Sequence, residues 1–305
     1  MTLSIVIPTR DRSQLLMRGA RELAEQCRGL DAEIVIVDDG STDDTARTVE
    51  RWVSESSVPA QLIRQAAQGP ATARNRGIEA AAGQIVLFLG DDVVPAHGLV
   101  ETHLRHHETF PESEVALLGK VTWSPELPIT PLMHWLEHGG PQFCYYKIVD
   151  PMAVPPTFFW TANVSVKRAF VREAGGFSER FPGAAFEDVE LGVRLARRGL
   201  RLHFEPQALG YHYHPVTLRG SLARMESVAK GALIASATVP DLVTLGDDGG
   251  VRRLRRAVAH SRIVRDMVVA AAPVCTAIPA LRVPYYRFVH NLYYRAAVRK
   301  LAKCV

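Results

Sequence analysis

The chain has 305 residues, of which 47% are hydrophobic and 22% are charged, the composition of an ordinary globular protein. Its formal net charge is only +4 and no recognised nucleic-acid-binding motif accompanies it, so we expect no nucleic-acid partner. The cysteines are far apart and none has a Cys-x-x-Cys partner, which argues against a structural zinc site and a disulfide framework and fits a reducing compartment. They are Cys27, Cys144, Cys275 and Cys304.

The sequence shows neither an export signal nor a membrane-spanning pattern. Residues 1–12 contain a short apolar run before Pro8 but lack the layout of a signal peptide. The longest apolar stretch, Met267 to Leu281, includes Pro273 and Pro279 and is shorter than the roughly 20 residues that a spanning helix needs. We therefore expect a cytoplasmic protein in which this stretch is buried or interfacial.

The first hundred residues alternate strand and helix patterns. Apolar residues at helical spacing over 13–27 predict a helix with Ser13 as a candidate N-cap, and Ser41–Asp44 predicts the start of a second helix. The apolar runs between helices lack polar alternation, which is typical of parallel strands covered by helices on both faces. The predicted strands are Leu3–Ile7, Ile34–Val37, Gln61–Arg64 and Ile85–Leu89, with a third helix over Pro70–Ala82.

The pattern changes in the second part of the chain. Residues 123–160 are rich in proline and aromatic residues, which predicts a loop-rich surface. A strand at Asn163–Val166, a helix near 168–174 and a helix beginning near Phe186 follow. Helical patterns predominate from there to the end of the chain.

Polar and charged side chains follow three of the predicted strands at the point where each ends. They are Pro8–Arg12, Asp38–Ser41 and Gly90–Asp92, and Arg74 lies near the start of the third helix. In an open parallel sheet, ligands bind beyond the carboxyl ends of the strands, so we expect these groups around one crevice. The sequence lacks glycine-rich phosphate-binding motifs, so a diphosphate bound here would need a divalent metal, for which paired acids supply oxygen ligands.

In their order and spacing, a series of segments resembles glycosyltransferase family 2. They are Ser4–Arg10, Val35–Thr42, Ala73–Gly77, Phe88–Asp92, and Gly175–Phe177 together with Phe186–Leu191. The resemblance covers roughly residues 2–235. It implies an inverting enzyme with the GT-A fold, a Rossmann-like, mostly parallel sheet flanked by helices. It also implies a nucleoside-diphosphate sugar as donor, and we expect a UDP- or dTDP-sugar.

The resemblance assigns roles on the donor side. Thr9 and Asp39 would contact the base and ribose, Arg74 would help to hold the nucleotide, and Asp91 would touch ribose or phosphate. The expected nucleotide-binding residues are Pro8, Thr9, Arg10, Asp39, Arg74 and Asp91.

The resemblance also implies a metal ligand and a catalytic base. Asp92 would bind Mn²⁺ or Mg²⁺, whose charge would stabilise the leaving diphosphate. Gly90 replaces the first acid of the family's usual Asp-x-Asp motif, which leaves one strong carboxylate where there are often two. We prefer His212 to His214 as a further ligand. Asp188 matches the family's base, which takes the proton of the attacking hydroxyl.

We assign Trp160, Asn163 and Glu187 to the acceptor side, and expect a hydroxyl of a glycan, a lipid-linked glycan or a secondary metabolite as acceptor. Sugars stack on aromatic faces, yet core packing explains Trp123, Trp135 and Trp160 equally well.

Simpler interpretations also stay open for several acids and histidines. Helix capping explains Asp38 as well as nucleotide binding does. A helix dipole favours acids such as Glu187, Asp188 and Glu190 in the first turn of a helix. Packing explains His212 about as well as metal binding.

The tail differs from the rest in charge. From Val251 onward, twelve Lys or Arg residues stand against one acid, Asp266, a balance of about +11. We expect a nucleotide-sugar-binding half (1–120), an acceptor-binding and catalytic-base half (121–245), and a basic helical C-terminal extension (246–305). Basic residues interleaved with apolar and aromatic ones suit an anionic membrane at the inner face of the cell membrane. Packing on the catalytic domain or on a second subunit explains the tail comparably, so an oligomer stays open.

Two other functions remain as alternatives. A non-catalytic nucleotide-sugar-binding or membrane-docked partner is disfavoured because both Asp92 and Asp188 are retained. A nucleotidyltransferase is disfavoured because Thr9–Arg12 lacks the glycine and lysine of its phosphate loop.

Overall fold

The computed structural model describes residues 1–239 and 262–301. Within them, eight strands form one sheet in the order β3-β2-β1-β4-β7-β6-β8-β5. Pairing is parallel for β1 with β2 and β4, for β2 with β3, and for β6 with β8, whereas β7 is antiparallel to β4 and β6, and β5 to β8. The strands are β1 (Leu3–Thr9), β2 (Ala32–Asp39), β3 (Ala60–Gln65), β4 (Ile85–Leu89), β5 (Val93–Pro95), β6 (Val115–Trp123), β7 (Asn163–Lys167) and β8 (Arg201–His212).

Helices flank this sheet, which confirms the expected α/β fold. The side chains of β2 and β4 are buried along their whole length, as the unbroken apolar runs predicted for strands covered on both faces. The helices are α1 (Ser13–Cys27), α2 (Thr45–Glu55), α3 (Pro70–Ala80), α4 (Leu99–Thr109), α5 (Pro131–His138), α6 (Arg168–Glu173), α7 (Glu187–Ala196), α8 (Leu218–Thr238), α9 (Arg262–Ala270), α10 (Ala272–Ala277) and α11 (Pro279–Leu301).

The predicted helix over 13–27 is confirmed as α1, but its candidate N-cap and the predicted start of the second helix are wrong. Ser13 does not cap α1, because its hydroxyl donates to Asp44 Oδ1 (2.8 Å) and no side chain caps that helix. The second helix begins at Thr45, several residues after Ser41. The polar residues between β2 and α2 form a turn, in which Asp38 Oδ1 accepts a hydrogen bond from the Ser41 N–H (3.0 Å).

Strand β8 contradicts the prediction that helices predominate after Phe186. It lies along β6 in parallel, with a shift in register between Gly119 and Lys120 that leaves Pro206, Gln207 and Ala208 without a partner on β6. A bulge of this kind accommodates a proline that the ladder of a regular strand would exclude. The proline and the weak apolar alternation of β8 explain why its sequence did not predict a strand.

The residues form two compact units. Unit 1 comprises Met1–Leu127 and Tyr145–His214 and contains the whole sheet. Unit 2 comprises Pro128–Cys144 and Pro215–Val305. The expected division at 120 and 245 stays a functional proposal, since the compact units divide the chain differently.

Unit 2 is helical, and part of the basic tail packs inside it. In α11, Tyr286 and His290 stack against Trp135 of α5, at ring distances of 5.5 and 4.9 Å. The hydroxyl of Ser221 in α8 lies 3.0 Å from His290 Nε2. Tyr285 and Tyr286 are buried, so these two aromatic residues do not form the interfacial belt that the sequence suggested.

The other surface of these C-terminal helices exposes apolar side chains. The most exposed are Met267 and Val274, at 66% each. Within residues 1–239 and 262–301, no helix is long and apolar enough to cross a membrane. Five of the basic residues in the tail lie outside the described residues, namely Arg252, Arg253, Arg255, Arg256 and Lys303.

Candidate active site

The loops that follow β1 and β2 are joined by hydrogen bonds from Asp11. Asp11 has a φ of +52°, a left-handed conformation that short polar side chains tolerate because they bond locally. Its Oδ1 accepts from the Thr42 N–H (2.6 Å), and its own N–H donates to Ser41 Oγ (2.9 Å). This arrangement fixes the loop that carries Arg10 and Arg12.

Three predicted nucleotide-binding residues belong to the end of β1 and this loop. Pro8 is the penultimate residue of β1, and Thr9 is its buried last residue. Arg10 is half exposed, with its Nε 3.6 Å from Asp11 Oδ2. Their contact with a nucleotide stays a prediction.

At the end of β4, Asp91 and Asp92 form a buried pair of acids with three neighbours. Thr9 donates its hydroxyl to Asp91 Oδ2 (2.9 Å). Arg12 Nη1 donates to both acids, to Asp91 Oδ1 at 2.9 Å and to Asp92 Oδ2 at 2.9 Å. His212 Nε2 lies 3.4 Å from Asp92 Oδ2. The predicted residues Thr9 and His212 thus meet at the acid pair of Asp91 and Asp92, which Arg12 also contacts.

The neighbours give the two acids different acidities. Burial and the negative charge of Asp92 raise the pKa of Asp91 to about 6, although Arg12 opposes this. Burial also acts to raise the pKa of Asp92, but hydrogen bonding to His212 and the charges of His212 and Arg12 lower it below its ordinary value. Asp92 is therefore the acid that stays ionised over the wider pH range, as a metal ligand must.

His212 reaches Asp92 because of strand pairing. In the β5–β8 ladder His212 is the partner of Val93, the residue after Asp92, and in the β6–β8 ladder it is the partner of Trp123. The Tyr213 N–H donates to the Asp92 carbonyl (2.8 Å), which extends this pairing by one residue. The indole of Trp123 lies 5.3 Å from the imidazole and holds it from one side. Trp123 is buried, so it acts by core packing and not as an acceptor platform.

The donor set suits a divalent metal bound jointly with a ligand. Asp92 offers a carboxylate oxygen and His212 an imidazole nitrogen, both of which Mn²⁺ accepts. Among residues 1–239 and 262–301, no group of three or more His, Cys, Asp or Glu side chains is placed to hold a metal ion. Ions such as Mg²⁺ are commonly held by one or two carboxylates plus the phosphates of a substrate. Asp92 and His212 fit a site of this kind, in which the phosphates of a substrate supply further ligands.

Asp39 at the end of β2 orders the segment before α3. Its Oδ1 accepts from the Gln68 N–H (2.7 Å) and from Gln65 Nε2 (2.7 Å), and its Oδ2 from the Gly69 N–H (2.9 Å). Gly40 beside it has a φ of +71°, and a Cβ there would lie 2.7 Å from the Ala67 nitrogen, so glycine is required. The predicted contact between Asp39 and the donor stays a prediction, because these bonds give the carboxylate a structural role.

Arg74 forms a buried ion pair with Glu187. Its Nη1 lies 2.9 Å from Glu187 Oε1, and both side chains are less than 10% exposed. Arg74 also lies over the ring of Phe177, with Cζ 5.5 Å from the centroid. The structure thus brings Arg74 to the predicted base region, and its predicted contact with the nucleotide stays untested.

Three acids in the first turn of α7 have different environments. Glu190 is buried, and both of its oxygens accept from Arg194, at 2.7 and 2.9 Å. Glu187 is 2% exposed and is paired with Arg74. Asp188 is half-buried, and its carboxylate accepts from the backbone N–H groups of Val189 (2.8 Å) and Thr161 (3.3 Å). Of the three, Asp188 is the carboxylate that solvent and a substrate can reach.

A short backbone path joins Asp188 to the acid pair. Thr161, which donates to Asp188, is followed by Ala162, whose carbonyl accepts from the Gly90 N–H (3.3 Å). Gly90 directly precedes Asp91 and Asp92.

The backbone of Phe186 fixes where α7 begins. Its φ of +71° is a left-handed conformation that is rare for a bulky residue.

The predicted acceptor residues have unequal support. Trp160 is partly exposed, and its ring contacts Tyr145 and Phe158 at 5.2 and 4.7 Å. Asn163 is buried, and its side chain donates to the carbonyls of Lys120 (3.2 Å) and Ala208 (2.8 Å). Asn163 therefore joins the bulge of β8 to β6, and its predicted role with an acceptor stays a prediction.

Burial also limits the predicted acceptor role of Glu187. Its pair with Arg74 occupies Oε1, and its Oε2 is buried without a partner among the described residues. Glu187 therefore supports the start of α7 from inside. Trp135, the third tryptophan considered, is buried within unit 2.

Arg12 is a member of this cluster that the sequence did not predict. Its side chain is 38% exposed and reaches both acids. It stands in the cluster after β1, so its position was visible in the sequence. Its direction was not, because the conformation set by Asp11 decides it.

Glu187 gives a pH-dependent prediction. Burial and the charge of Asp188 raise its pKa from 4.5 to about 7. The folded chain then keeps a proton that the unfolded chain loses, so this contribution to stability is full below pH 4.5 and falls as pH rises to 7. Glu187→Gln has no such proton. Between pH 5 and pH 8, the free energy of unfolding of wild type should fall by about 2 kcal/mol relative to that of Glu187→Gln, as measured by urea unfolding.

The control for this experiment is Glu173→Gln, which removes an exposed acid at the end of α6. Its unfolding free energy should follow the wild-type pH profile. Parallel profiles for wild type and Glu187→Gln would show that Glu187 does not retain its proton in the folded state.

Comparisons with known sequences identify the family of this chain. A model for "Glycosyl transferase family 2" matches residues 4–151, and one for "Glycosyl transferase family group 2" matches residues 134–298. A validoxylamine A glucosyltransferase of Streptomyces hygroscopicus subsp. jinggangensis is 30% identical over 68% of this chain and 54% of its own length. A pre-mycofactocin glycosyltransferase of Mycobacterium tuberculosis is 30% identical over 78% of this chain and 48% of its own. The chain spans about half the length of these curated relatives.

Solved structures share the fold at low sequence identity. A mannosyltransferase from Pyrobaculum calidifontis, in complex with GDP-Man and Mn²⁺, has a TM-score of 0.62 and 18% identity, covering 98% of this chain and 86% of that one. S. aureus TarS 1–349 in complex with UDP-GlcNAc has a TM-score of 0.57 and 16% identity, covering 99% and 92%. They confirm the GT-A fold. With family models matching along most of its length, the chain belongs to glycosyltransferase family 2.

Proposed function

We propose that this chain is an inverting glycosyltransferase that moves a sugar from a nucleoside-diphosphate sugar to an acceptor hydroxyl. The observation that carries the proposal is the contrast within the first turn of α7. Two of its acids are buried against arginines, and Asp188 alone of the three is open to solvent and is linked through Thr161 to the segment that carries Asp91 and Asp92. One accessible carboxylate near a pair of acids is what transfer of this kind requires.

On the donor side, the enzyme must stabilise the negative charge that develops on the leaving diphosphate. Breaking the bond between sugar and diphosphate leaves that charge on the leaving group. A divalent ion held by Asp92 and His212 would supply the positive charge that stabilises it. Thr9 and Arg12 hold Asp91 in place, and we propose that Asp91, Asp39, Pro8, Arg10 and Arg74 contribute to the nucleotide side as the family pattern implies.

On the acceptor side, Asp188 takes the proton of the attacking hydroxyl. The two backbone N–H groups that donate to its carboxylate fix its orientation. Arg74 and Glu187 act behind it, because their buried pair anchors the start of α7. Trp160, which is partly exposed, remains the aromatic residue proposed to contact the acceptor.

The donor and acceptor are proposed only as classes. The similar structures were solved with GDP-Man, UDP and UDP-GlcNAc, which supports a nucleotide-sugar donor. A UDP- or dTDP-sugar remains our proposal. The relatives include a validoxylamine A glucosyltransferase and a chondroitin synthase, so we propose all three acceptor classes, namely a glycan, a lipid-linked glycan and a secondary metabolite.

Asp92→Ala tests the metal-assisted donor side. Wild type should hydrolyse its nucleotide sugar slowly with Mn²⁺ or Mg²⁺ and stop when a chelator is added. In Asp92→Ala the rate should fall by about 10²-fold or more, because the diphosphate loses its electrostatic partner. Donor hydrolysis at constant metal concentration measures this. Asp31→Asn, which alters an exposed acid far along the sequence, serves as control, and full activity of Asp92→Ala in chelator would refute the metal proposal.

Asp188→Asn tests the base. The substitution preserves shape and removes the proton acceptor, so turnover should fall by about 10²–10⁴ while binding of the donor stays nearly unchanged. Steady-state kinetics with saturating donor, together with donor titration, measures both quantities. Glu173→Gln provides the matched loss of one exposed carboxylate. Turnover of Asp188→Asn within a few-fold of wild type would assign the base to another residue.

The C-terminal unit supports a second proposal, docking on an anionic membrane. Residues 262–301 contain seven Lys or Arg residues and one acid, Asp266. Apolar side chains lie exposed on the same helices, and Phe288 is next to the exposed Arg287. Apolar groups insert between headgroups, and each basic residue near anionic lipid contributes about 1 kcal/mol. The exposed apolar residues are Met267, Val274, Ile278, Leu281, Val283 and Phe288.

Surface variants test docking better than deletion of the tail, because α11 packs on α5 and α8 within unit 2. The combined variant Met267→Ser, Ile278→Ser, Phe288→Ser should bind vesicles of anionic lipid about tenfold or more weakly in a sedimentation assay. High salt should also weaken binding of wild type, because at 1 M the Debye length is about 3 Å.

Val149→Ser is the matched control, since Val149 is 96% exposed but belongs to unit 1. Its vesicle binding should equal that of wild type. If wild type does not bind anionic vesicles at low salt, the exposed apolar surface has another role, and the membrane proposal is wrong.

A further inference from the structure

A single side-chain nitrogen of Arg12 contacts both acids, Asp91 and Asp92. Its Nη1 lies 2.9 Å from Asp91 Oδ1 and 2.9 Å from Asp92 Oδ2, so one NH₂ group bridges two carboxylates. The Asp92 oxygen that it contacts is also the one nearest to His212 Nε2, at 3.4 Å. Arg12 thus binds the same oxygen that would bind a metal.

The surroundings of Arg12 allow it to leave. Its backbone N–H donates to Thr45 Oγ1 (3.2 Å), which holds the main chain at the start of α1. Its side chain is 38% exposed, whereas those of Asp91 and Asp92 are 11% and 16% exposed. A rotation of this side chain would therefore expose the carboxylates without unpacking the core.

Because Arg12 and a divalent metal ion are both positively charged, they would not bind the same Asp92 oxygen together. A guanidinium and a divalent ion on one carboxylate oxygen would repel each other at short range, in a partly buried place where screening by water is weak. A metal alone must displace Arg12 and leave it unpaired. A metal arriving with a diphosphate brings an anion to which the displaced guanidinium can turn.

We propose that Arg12 is a resident counter-cation of Asp91 and Asp92, which keeps metal out of the empty enzyme and so makes metal binding depend on the donor. This inference rests on the proposed metal site at Asp92. It gives Arg12, which lies outside the segments that resemble the family, a positioning role at the acid pair.

The test is Mn²⁺ binding to the full chain, followed through the electron paramagnetic resonance signal of free Mn²⁺. Without nucleotide, Arg12→Gln should bind Mn²⁺ about tenfold more tightly than wild type, because the competing cation is gone. With UDP present, wild type should gain more affinity for Mn²⁺ than Arg12→Gln does. Arg28→Gln, which removes an exposed charge at the far end of α1, should behave as wild type.

Two further variants make the outcome decisive. Arg12→Lys keeps a cation with shorter reach and should give an intermediate affinity even if Arg12→Gln folds poorly. Adding Asp92→Ala to Arg12→Gln should abolish the gained affinity, which locates the ion at the acid pair.

Equal or weaker Mn²⁺ binding in Arg12→Gln than in wild type, with wild type binding Mn²⁺ in the presence of UDP, would overturn the role of Arg12 alone. Failure of wild type and all variants to bind Mn²⁺, with or without UDP, would overturn this inference and the proposed metal site together.

Discussion

Two adjacent carboxylates at the end of β4 are the constraint on which the candidate site depends. Asp91 and Asp92 lie side by side and largely buried, so their charges must be balanced by nearby donors. Thr9 comes from the end of β1, Arg12 from the start of α1 and His212 from the end of β8. The sheet order places β1 next to β4, and the pairing of β5 with β8 brings the histidine to the residue after the acids. The order of the strands therefore determines which side chains can balance the charges of the two acids.

The same principle separates the acids of α7. Glu187 and Glu190 are buried, and each is paired with an arginine. Glu190 pairs with Arg194 within α7, whereas the pair of Glu187 with Arg74 joins α7 to α3. Asp188 points to a more open place and is held by backbone N–H groups. The carboxylate of Asp188 can exchange a proton with a substrate because it is only half-buried, whereas those of Glu187 and Glu190 are enclosed by the protein. The role proposed for Asp188 follows from this difference in environment.

Much of the fold could be predicted because its signals are local. Unbroken apolar runs identified β1, β2 and β4, and the acids at their ends indicated the crevice. The sequence could not predict β8, because Pro206 argues against a strand and is accommodated only by a bulge. Pairing with β6, which the sequence of β8 alone does not show, decides that this segment is a strand. It also could not place Glu187 in a buried pair with Arg74, or Asn163 at the bulge, because burial and hydrogen bonds to distant residues decide those positions. The direction of Arg12 depends likewise on the turn that Asp11 adopts.

We propose that the ends of β1 and β4 and the histidine of β8 hold a nucleoside diphosphate together with a divalent metal. A thermal-shift screen of nucleoside diphosphates, each with and without Mn²⁺, tests it most directly, because a ligand that binds the folded state raises the melting temperature by mass action. We expect at least one nucleoside diphosphate to raise the melting temperature with Mn²⁺ by more than the sum of the two separate effects. Shifts that are absent for every nucleotide, or that persist unchanged in chelator, would contradict the account.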